Sequence, residues 1–433
     1  MKRLFILCLL TVLFKVNIAA QVSYFPPLLG NGWETTDFNT LNWCPEKVNA
    51  LYNFLEEEES KSFLLIKDGK IVLEKYFGSY TQDSIWVWFS AGKSLRATLV
   101  GIAQEEGKLN IGDKTSDYLG TGWTSLSPEK EEIITVRNQL TMTTGLNEII
   151  FDCIEPSCLR YVADAGTRWA YHNSPYNLLK EVLESATGET INAYTNSRIK
   201  SKIGMQSGFW ISSGNNTFFL SKARDMARFG LLIQNKGVWN NTTLMSDTVY
   251  LNQMLNTSQN LNPAYGYLWW LNGKASYIAP DSPVNLQGAI APDAPVDMYT
   301  AAGAQGQFIS ISPSNKLLLI RQGIYSQADK APIALLNDIW KKVMELECLP
   351  TSVEELTTEN IVVYPNPATK WIEFSGVEKT GGEISILIYD LMGKQILKAQ
   401  NTTRINIENL VKGSYLLKIK SKNAVYTKKF LKS

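Results

Sequence analysis

FSAGKSLRATL, residues 89–99, places a serine and a lysine three positions apart, Ser90 and Lys93, at the head of an apolar run. Ala91, Leu95, Leu99, Ile102 and Ala103 recur at i, i+4, i+8, i+11 and i+12, which predicts a helix with one apolar stripe. Ser90 then stands at the helix N-terminus, and Lys93, one turn on, shares its face. The helix dipole favours negative charge developing at Ser90. A lysine kept neutral by burial can take the Ser90 hydroxyl proton. The competing reading of the same tetrapeptide is an N-cap serine followed by a solvated lysine. Spacing alone does not separate the two.

Length and composition bound the answer. The chain has 433 residues, 45% hydrophobic and 19% charged, with a formal net charge of +1. That suffices for more than one packed domain and is unlike a disordered chain. No overall basic excess points to nucleic acid, and none is expected as a partner. Charge is uneven, however: residues 361–433 hold 12 Lys/Arg against 5 Asp/Glu, net +7, while residues 1–360 hold 30 against 36, net −6. Two differently charged units share the chain.

The first 20 residues, with Lys2 and Arg3 before the apolar run Leu4–Phe14 and then Ala19 and Ala20, have the three-part form of a secretory signal peptide. The run is shorter than the roughly 20 residues a membrane span needs, and no integral span is expected elsewhere. Beyond Cys8 the chain carries Cys44, Cys153, Cys158 and Cys348. An even count in an exported chain predicts disulfides, and of the three possible pairings Cys153–Cys158 with Cys44–Cys348 is favoured. The cysteine spacings are unlike a zinc site and there is one histidine, so neither a metal nor another cofactor is expected.

Glu46–Glu58 has helical spacing. In FLLIKDGKIVLEKYFG, residues 63–78, two β-prone runs flank Asp68-Gly69, a tight-hairpin signal. From Ser90 to about Asn235 the pattern is mostly helical with long loops. Strand signals return at Phe308–Ser312 and Lys316–Ile320, and Ala331–Glu345 reads as a closing amphipathic helix. The expectation is an α/β (α+β) domain over residues 21–348, with one antiparallel sheet built from both ends of the domain and a helical lobe inserted between them. Residues 349–360 are polar and aperiodic, a linker. Residues 361–433 hold short alternating strands between Gly and Asn turns, a small all-β sandwich.

AGTRWAYHNSPYNLL, residues 165–179, resembles the PGxxWxYSNxGYxLL stretch of the penicillin-recognising serine hydrolases, the β-lactamase-related family. TVRNQLTMTTGL (135–146), RDMARFGLL (224–232) and YGYLWWLN (265–272) resemble other segments of that family, in order, over roughly residues 60–345. The resemblance implies a β-lactamase/transpeptidase-like fold with Ser90 as nucleophile. It further implies that Tyr171 shuttles the proton with Lys93, and that Asn173 orients substrate and lysine. The family's third element, Lys/His-Thr/Ser-Gly, aligns with Ala301-Ala302-Gly303, where both usual side chains are missing. Gly303 is expected to keep that strand open to substrate, and the Ala304 N–H to join that of Ser90 as an oxyanion hole. The missing cation disfavours β-lactams and resembles the esterase and 6-aminohexanoate-oligomer hydrolase branch.

His172 stands between Tyr171 and Asn173 and is expected to face away from the site as a packed imidazole; no Gly-x-Ser-x-Gly elbow supports a histidine triad. Trp86, Trp88, Trp269 and Trp270 are candidates either for an apolar cleft wall or for core. The tail segments VYPNPATKWIEFSG, IYDLMGKQI, INIENLVKGSYLLKI and YTKKFLKS resemble the C-terminal sorting domain of type IX secretion in Bacteroidetes. That implies engagement of the type IX machinery, passage across the outer membrane and removal of the tail near residue 350. A carbohydrate- or wall-binding sandwich is the plainer alternative.

The reading is therefore a secreted serine hydrolase acting on a small-molecule or peptide ester or amide, through a Ser90 acyl-enzyme with Lys93 and Tyr171 as proton-transfer pair. A D-amino-acid peptidase, a weak β-lactamase, or a non-catalytic binder of cell-wall fragments are the alternatives.

Overall fold

A computed structural model describes residues 23–150, 152–280, 282–325, 331–348, 361–376, 384–391, 393–421 and 425–433. The expected signal peptide and linker lie outside the described residues. The chain divides into two compact units, Met1–Glu347 and Cys348–Ser433.

The first unit is organised on a six-stranded antiparallel sheet. Its order is Lys70–Tyr76, Ser60–Lys67, Leu317–Gly323, Gln307–Ser312, Tyr299–Gly303 and Trp270–Leu271. The two N-terminal strands form the predicted hairpin, with Asp68 and Gly69 at φ +51° and +84°. Two successive left-handed residues make a turn whose twist matches the strands it joins. At Gly69 a Cβ would stand 2.0 Å from the Tyr24 carbonyl oxygen, so glycine is required there on both grounds.

The sheet closes by pairing chain ends, with Leu64 opposite Ile320 and Leu65 opposite Leu319. Its middle strands are buried on both faces, which is why they read as continuous apolar runs rather than alternating ones. Helix Ala223–Gln234 covers one face. Its Gly230 comes so close that a Cβ would lie 2.5 Å from Leu318 and 2.9 Å from Ile309. Helix Ile333–Met344 covers the other, where Trp340 Nε1 donates to Ser310 Oγ at 2.9 Å.

Two expectations need correction. The stretch 90–235, expected to be mostly helical with long loops, also holds two strands, Phe209–Ser213 and Asn216–Lys222, which Ile85–Val87 joins in a three-stranded sheet with Asn216–Lys222 in the middle. These runs are short; Ile85–Val87 finds its partner far along the chain, whereas Phe209–Ser213 and Asn216–Lys222 form a local hairpin. The helix after Ser90 also lacks a single apolar stripe. Gly92–Glu105 is buried on every side from Gly92 to Ala103, including Lys93, Ser94, Arg96 and Thr98. It is the central element of the helical lobe rather than a surface helix.

Cys153 and Cys158 are joined as expected. Cys44 and Cys348 are each disulfide-bonded as well. Nearby, Trp43 bridges Glu347. Among the described residues no helix is long and apolar enough to cross a membrane.

The second unit is the expected sandwich. One sheet holds Val362–Tyr364, Trp371–Ser375 and Arg404–Asn406; the other holds Gln395–Gln400, Ser385–Tyr389, Gly413–Lys420 and Val425–Lys432. Alternate residues such as Ile386 and Ile388, or Leu417 and Ile419, turn inward on Ile372, Phe374, Ile405 and Phe430.

Leu319 is fully buried at the centre of the six-stranded sheet. Leu319→Ala should lower the unfolding free energy by about 2–5 kcal/mol, measured by urea denaturation of the purified protein.

Candidate active site

Ser90 does not begin the helix itself. It sits in a 3-10 turn, Phe89–Ala91, which runs into the helix at Gly92. Phe89 adopts φ +47°, a left-handed conformation that costs a non-glycine residue on the order of 1–2 kcal/mol. Packing sustains it: the Phe89 ring meets Phe218 edge-on at 5.8 Å, and the Ala91 N–H donates to the Trp88 carbonyl at 3.1 Å. The resulting kink leaves Ser90 half-buried, while Lys93, one turn on, is only 3% exposed.

Lys93 Nζ donates to Ser90 Oγ at 3.1 Å and to Asn173 Oδ1 at 2.7 Å. It also stands 5.2 Å from the Tyr171 ring centroid and 4.1 Å from that of Tyr176. Ser90, Lys93, Tyr171 and Asn173 thus meet around one buried nitrogen.

The second segment is positioned from behind. Asn173 opens helix Asn173–Thr187. Gln139 Nε2 donates to the Pro175 carbonyl at 2.8 Å, and the Ala170 N–H donates to the Met142 carbonyl at 3.0 Å. The TVRNQLTMTTGL segment therefore fixes both sides of Tyr171. Trp270 stacks on the Tyr171 ring at 6.1 Å, and Tyr265 meets it edge-on at 6.4 Å. Ser94 Oγ, on the nucleophile helix, donates to the Leu268 carbonyl at 2.7 Å and ties in the YGYLWWLN segment.

Gly303 ends the Tyr299–Gly303 strand, whose outer neighbour pairs only with Tyr299 and Thr300. A Cβ at Gly303 would lie 2.3 Å from the Trp88 carbonyl oxygen and 3.0 Å from the Ala91 nitrogen. Glycine is what allows the strand to press against the nucleophile turn. Ala304 follows at once in a half-exposed turn. No side-chain cation is present at Ala301 or Ala302.

A family profile described as beta-lactamase matches residues 56–322. The chain belongs to the beta-lactamase family. Members of this family are serine hydrolases. A second profile, the secretion system C-terminal sorting domain, matches residues 362–433, so this beta-lactamase-family chain carries a type IX export tail directing it to the cell surface or outside.

A provisionally named penicillin-binding protein of Bacillus subtilis is 29% identical over 185 residues, 38% of this chain. That match spans 45% of the Bacillus subtilis protein's own length. Among solved structures, a provisionally named 6-aminohexanoate-dimer hydrolase from Bacillus anthracis superposes with TM-score 0.57 at 17% identity, covering 76% of this chain and 91% of that one. A family VIII carboxylesterase superposes with TM-score 0.52 at 16% identity, covering 69% and 97%. At such identities the likeness is one of fold.

The other sequence candidates of the beta-lactamase-family unit separate clearly. Trp88 and Trp269 are core, packed on Phe229 and, for Trp88, bonded through Nε1 to Ser221 Oγ at 2.9 Å. The cleft-wall reading therefore fails for both. Of the four tryptophans, Trp270 touches Tyr171, and Trp86 packs half-buried against Tyr80. A cavity of about 570 Å³ lined by Leu251, Leu271, Lys236, Lys274 and Tyr299 includes none of the six candidate site residues.

Sequence reasoning did not single out Arg96 or Tyr176. The available signal was helical spacing: each falls three residues after a named site residue, Lys93 or Asn173.

His172 is 2% exposed and lies close to Glu148, Arg168 and the Ile150 backbone. Burial pushes its pKa down from 6.5 to about 4, against an opposing pull from Glu148, which is paired with Arg168. The unfolded chain therefore takes up a proton below pH 6.5 that the folded chain refuses, and stability falls as pH drops through that window. Between pH 7 and pH 5 the loss should be about 2 kcal/mol. His172→Phe should remove that part of the slope, read from urea denaturation at the two pH values.

Proposed function

We propose that this chain is an exported serine hydrolase that cleaves a carboxyl ester or amide through an acyl-enzyme on Ser90. The observation that carries the reading is Lys93 Nζ, 3.1 Å from Ser90 Oγ and anchored at 2.7 Å by Asn173 Oδ1. A neutral Lys93 amine accepts the Ser90 proton as Oγ bonds to the substrate carbonyl carbon. The carbonyl electron pair moves onto oxygen, where the N–H groups of Ser90 and Ala304 receive it. As the intermediate collapses, the proton passes through Lys93 and Tyr171 to the departing alkoxide or amine. Water then attacks the acyl carbon, its proton returning through the same pair, and Ser90 is regenerated.

Ala301 and Ala302 offer no cation to grip a substrate carboxylate, and the residue before Ser90 is an apolar Phe89 whose ring packs on Phe218. Both features favour an uncharged ester or amide over a β-lactam or a D-alanyl peptide. The resemblance in fold to a family VIII carboxylesterase and to a provisionally named 6-aminohexanoate-dimer hydrolase supports that class. The sorting tail supplies the second partner, the type IX machinery.

Purified Ser90→Ala should lose fluorophosphonate labelling and at least ~10³-fold of p-nitrophenyl ester turnover, with an unchanged circular dichroism spectrum. Undiminished turnover would reject the assignment. Tyr171→Phe should lower kcat by about 10²–10⁴ while substrate KM changes little, measured on the same ester. Nitrocefin and a D-Ala-D-Ala peptide should both remain uncleaved; hydrolysis of either would redirect the substrate class.

A further inference from the structure

The helix that carries Lys93 holds a second cation one turn further on. Arg96 is completely buried and lies on the same side of the helix as Lys93. Its Nη1 donates to the backbone carbonyls of Tyr176 at 3.0 Å and Asn177 at 3.4 Å. Nε and Nη2 have no hydrogen-bond partner among the described residues. The guanidinium is instead enclosed by ring faces, 4.3 Å from the Tyr176 centroid and 4.8 Å from that of Trp210. Carbonyls and rings stabilise a cation without cancelling its charge, and arginine does not release its proton at working pH.

The Tyr176 ring is shared. Lys93 Nζ lies 4.1 Å from the same centroid, so the two cationic groups are separated by no more than those two distances together. Lys93 meets conflicting demands at this point. The Ser90 and Asn173 oxygens and the Tyr171 and Tyr176 ring faces all favour an ammonium, whereas a general base must be a free amine. The strand at Ala301-Ala302-Gly303 brings no positive charge to oppose them.

We propose that Arg96 is a positioning residue for the reaction, whose fixed buried charge beside the Tyr176 ring holds Lys93 as the neutral amine that can accept the Ser90 proton. This rests on the reading of Lys93 as the base.

The surrounding charges leave room for that role. Tyr176 and Tyr265 face the cluster as neutral phenols, burial holding both above the ordinary tyrosine range. Glu181 and Glu184, on helix Asn173–Thr187, act on Arg96 but are also held by Lys180 at 3.3 and 3.0 Å. From the Thr248–Met254 side, the Tyr250 hydroxyl donates to the Ala97 carbonyl, and Asp247 is occupied by Gln104 and the Tyr250 N–H.

The test is the pH dependence of fluorophosphonate labelling at Ser90, with ester kcat/KM beside it, in the wild type and three variants. Arg96→Met matches the surrounding rings and Arg96→Gln keeps a donor for the carbonyls, so a folding failure in one leaves the other. Either neutral variant should move the acid limb upward by about one pH unit, with the plateau at high pH kept within a few fold. Arg96→Lys retains the charge and should leave the limb at the wild-type position. A merely structural Arg96 predicts a lower plateau with an unmoved limb in the neutral variants, and that result overturns the inference alone. Absence of Ser90 labelling in the wild type at every pH overturns the catalytic reading itself, and this inference with it.

Discussion

One buried nitrogen, Lys93 Nζ, held between the Ser90 hydroxyl and the Asn173 amide oxygen, is the contact on which the hydrolase unit's geometry depends. Lys93 and Asn173 lie 80 residues apart in the chain, on different helices. Taking such a group out of water is costly unless its donors are satisfied. The site meets that demand with two oxygens and two aromatic faces. The requirement then propagates outward. Asn173 must open its helix at one height, which Gln139 sets through the Pro175 carbonyl, and Tyr171 must approach along a backbone tied to Met142. Several segments that look unrelated in sequence answer to the same demand.

The second constraint is steric. At Gly303 the strand backbone touches the turn that presents Ser90, and even a methyl group would collide with the Trp88 carbonyl. Strain at Phe89 and absence of a side chain at Gly303 together let a sheet edge and a helix start share one small volume. The proposed oxyanion donors, the N–H groups of Ser90 and Ala304, belong to the backbone and do not depend on side chains at positions 301 and 302.

Much of this was legible because the relevant patterns are local. Ser90 with Lys93, and Tyr171 with Asn173, are fixed spacings whose clustering the fold displays, and the Asp68-Gly69 hairpin follows from backbone preference. The tail's strands alternate visibly because each buries one face. What escaped was set by tertiary burial. Helix Gly92–Glu105 is enclosed on all sides, so its polar residues gave no hint that Arg96 would be sealed inside. Trp88 and Trp269 carried no label to distinguish core from cleft, since composition does not encode which ring meets water. The small sheet around Asn216–Lys222 takes one edge from Ile85–Val87, a three-residue run more than 100 residues earlier that leaves almost no local trace.

The pairing of Ser60–Lys67 with Leu317–Gly323 has a consequence in time. Until the ribosome has delivered residue 323, the first hairpin presents an unmatched apolar flank and cannot nucleate a finished sheet. A chain bound for export gains from that delay: while its two halves remain unmatched it stays threadable, and it commits to a compact form only after the whole hydrolase unit has emerged.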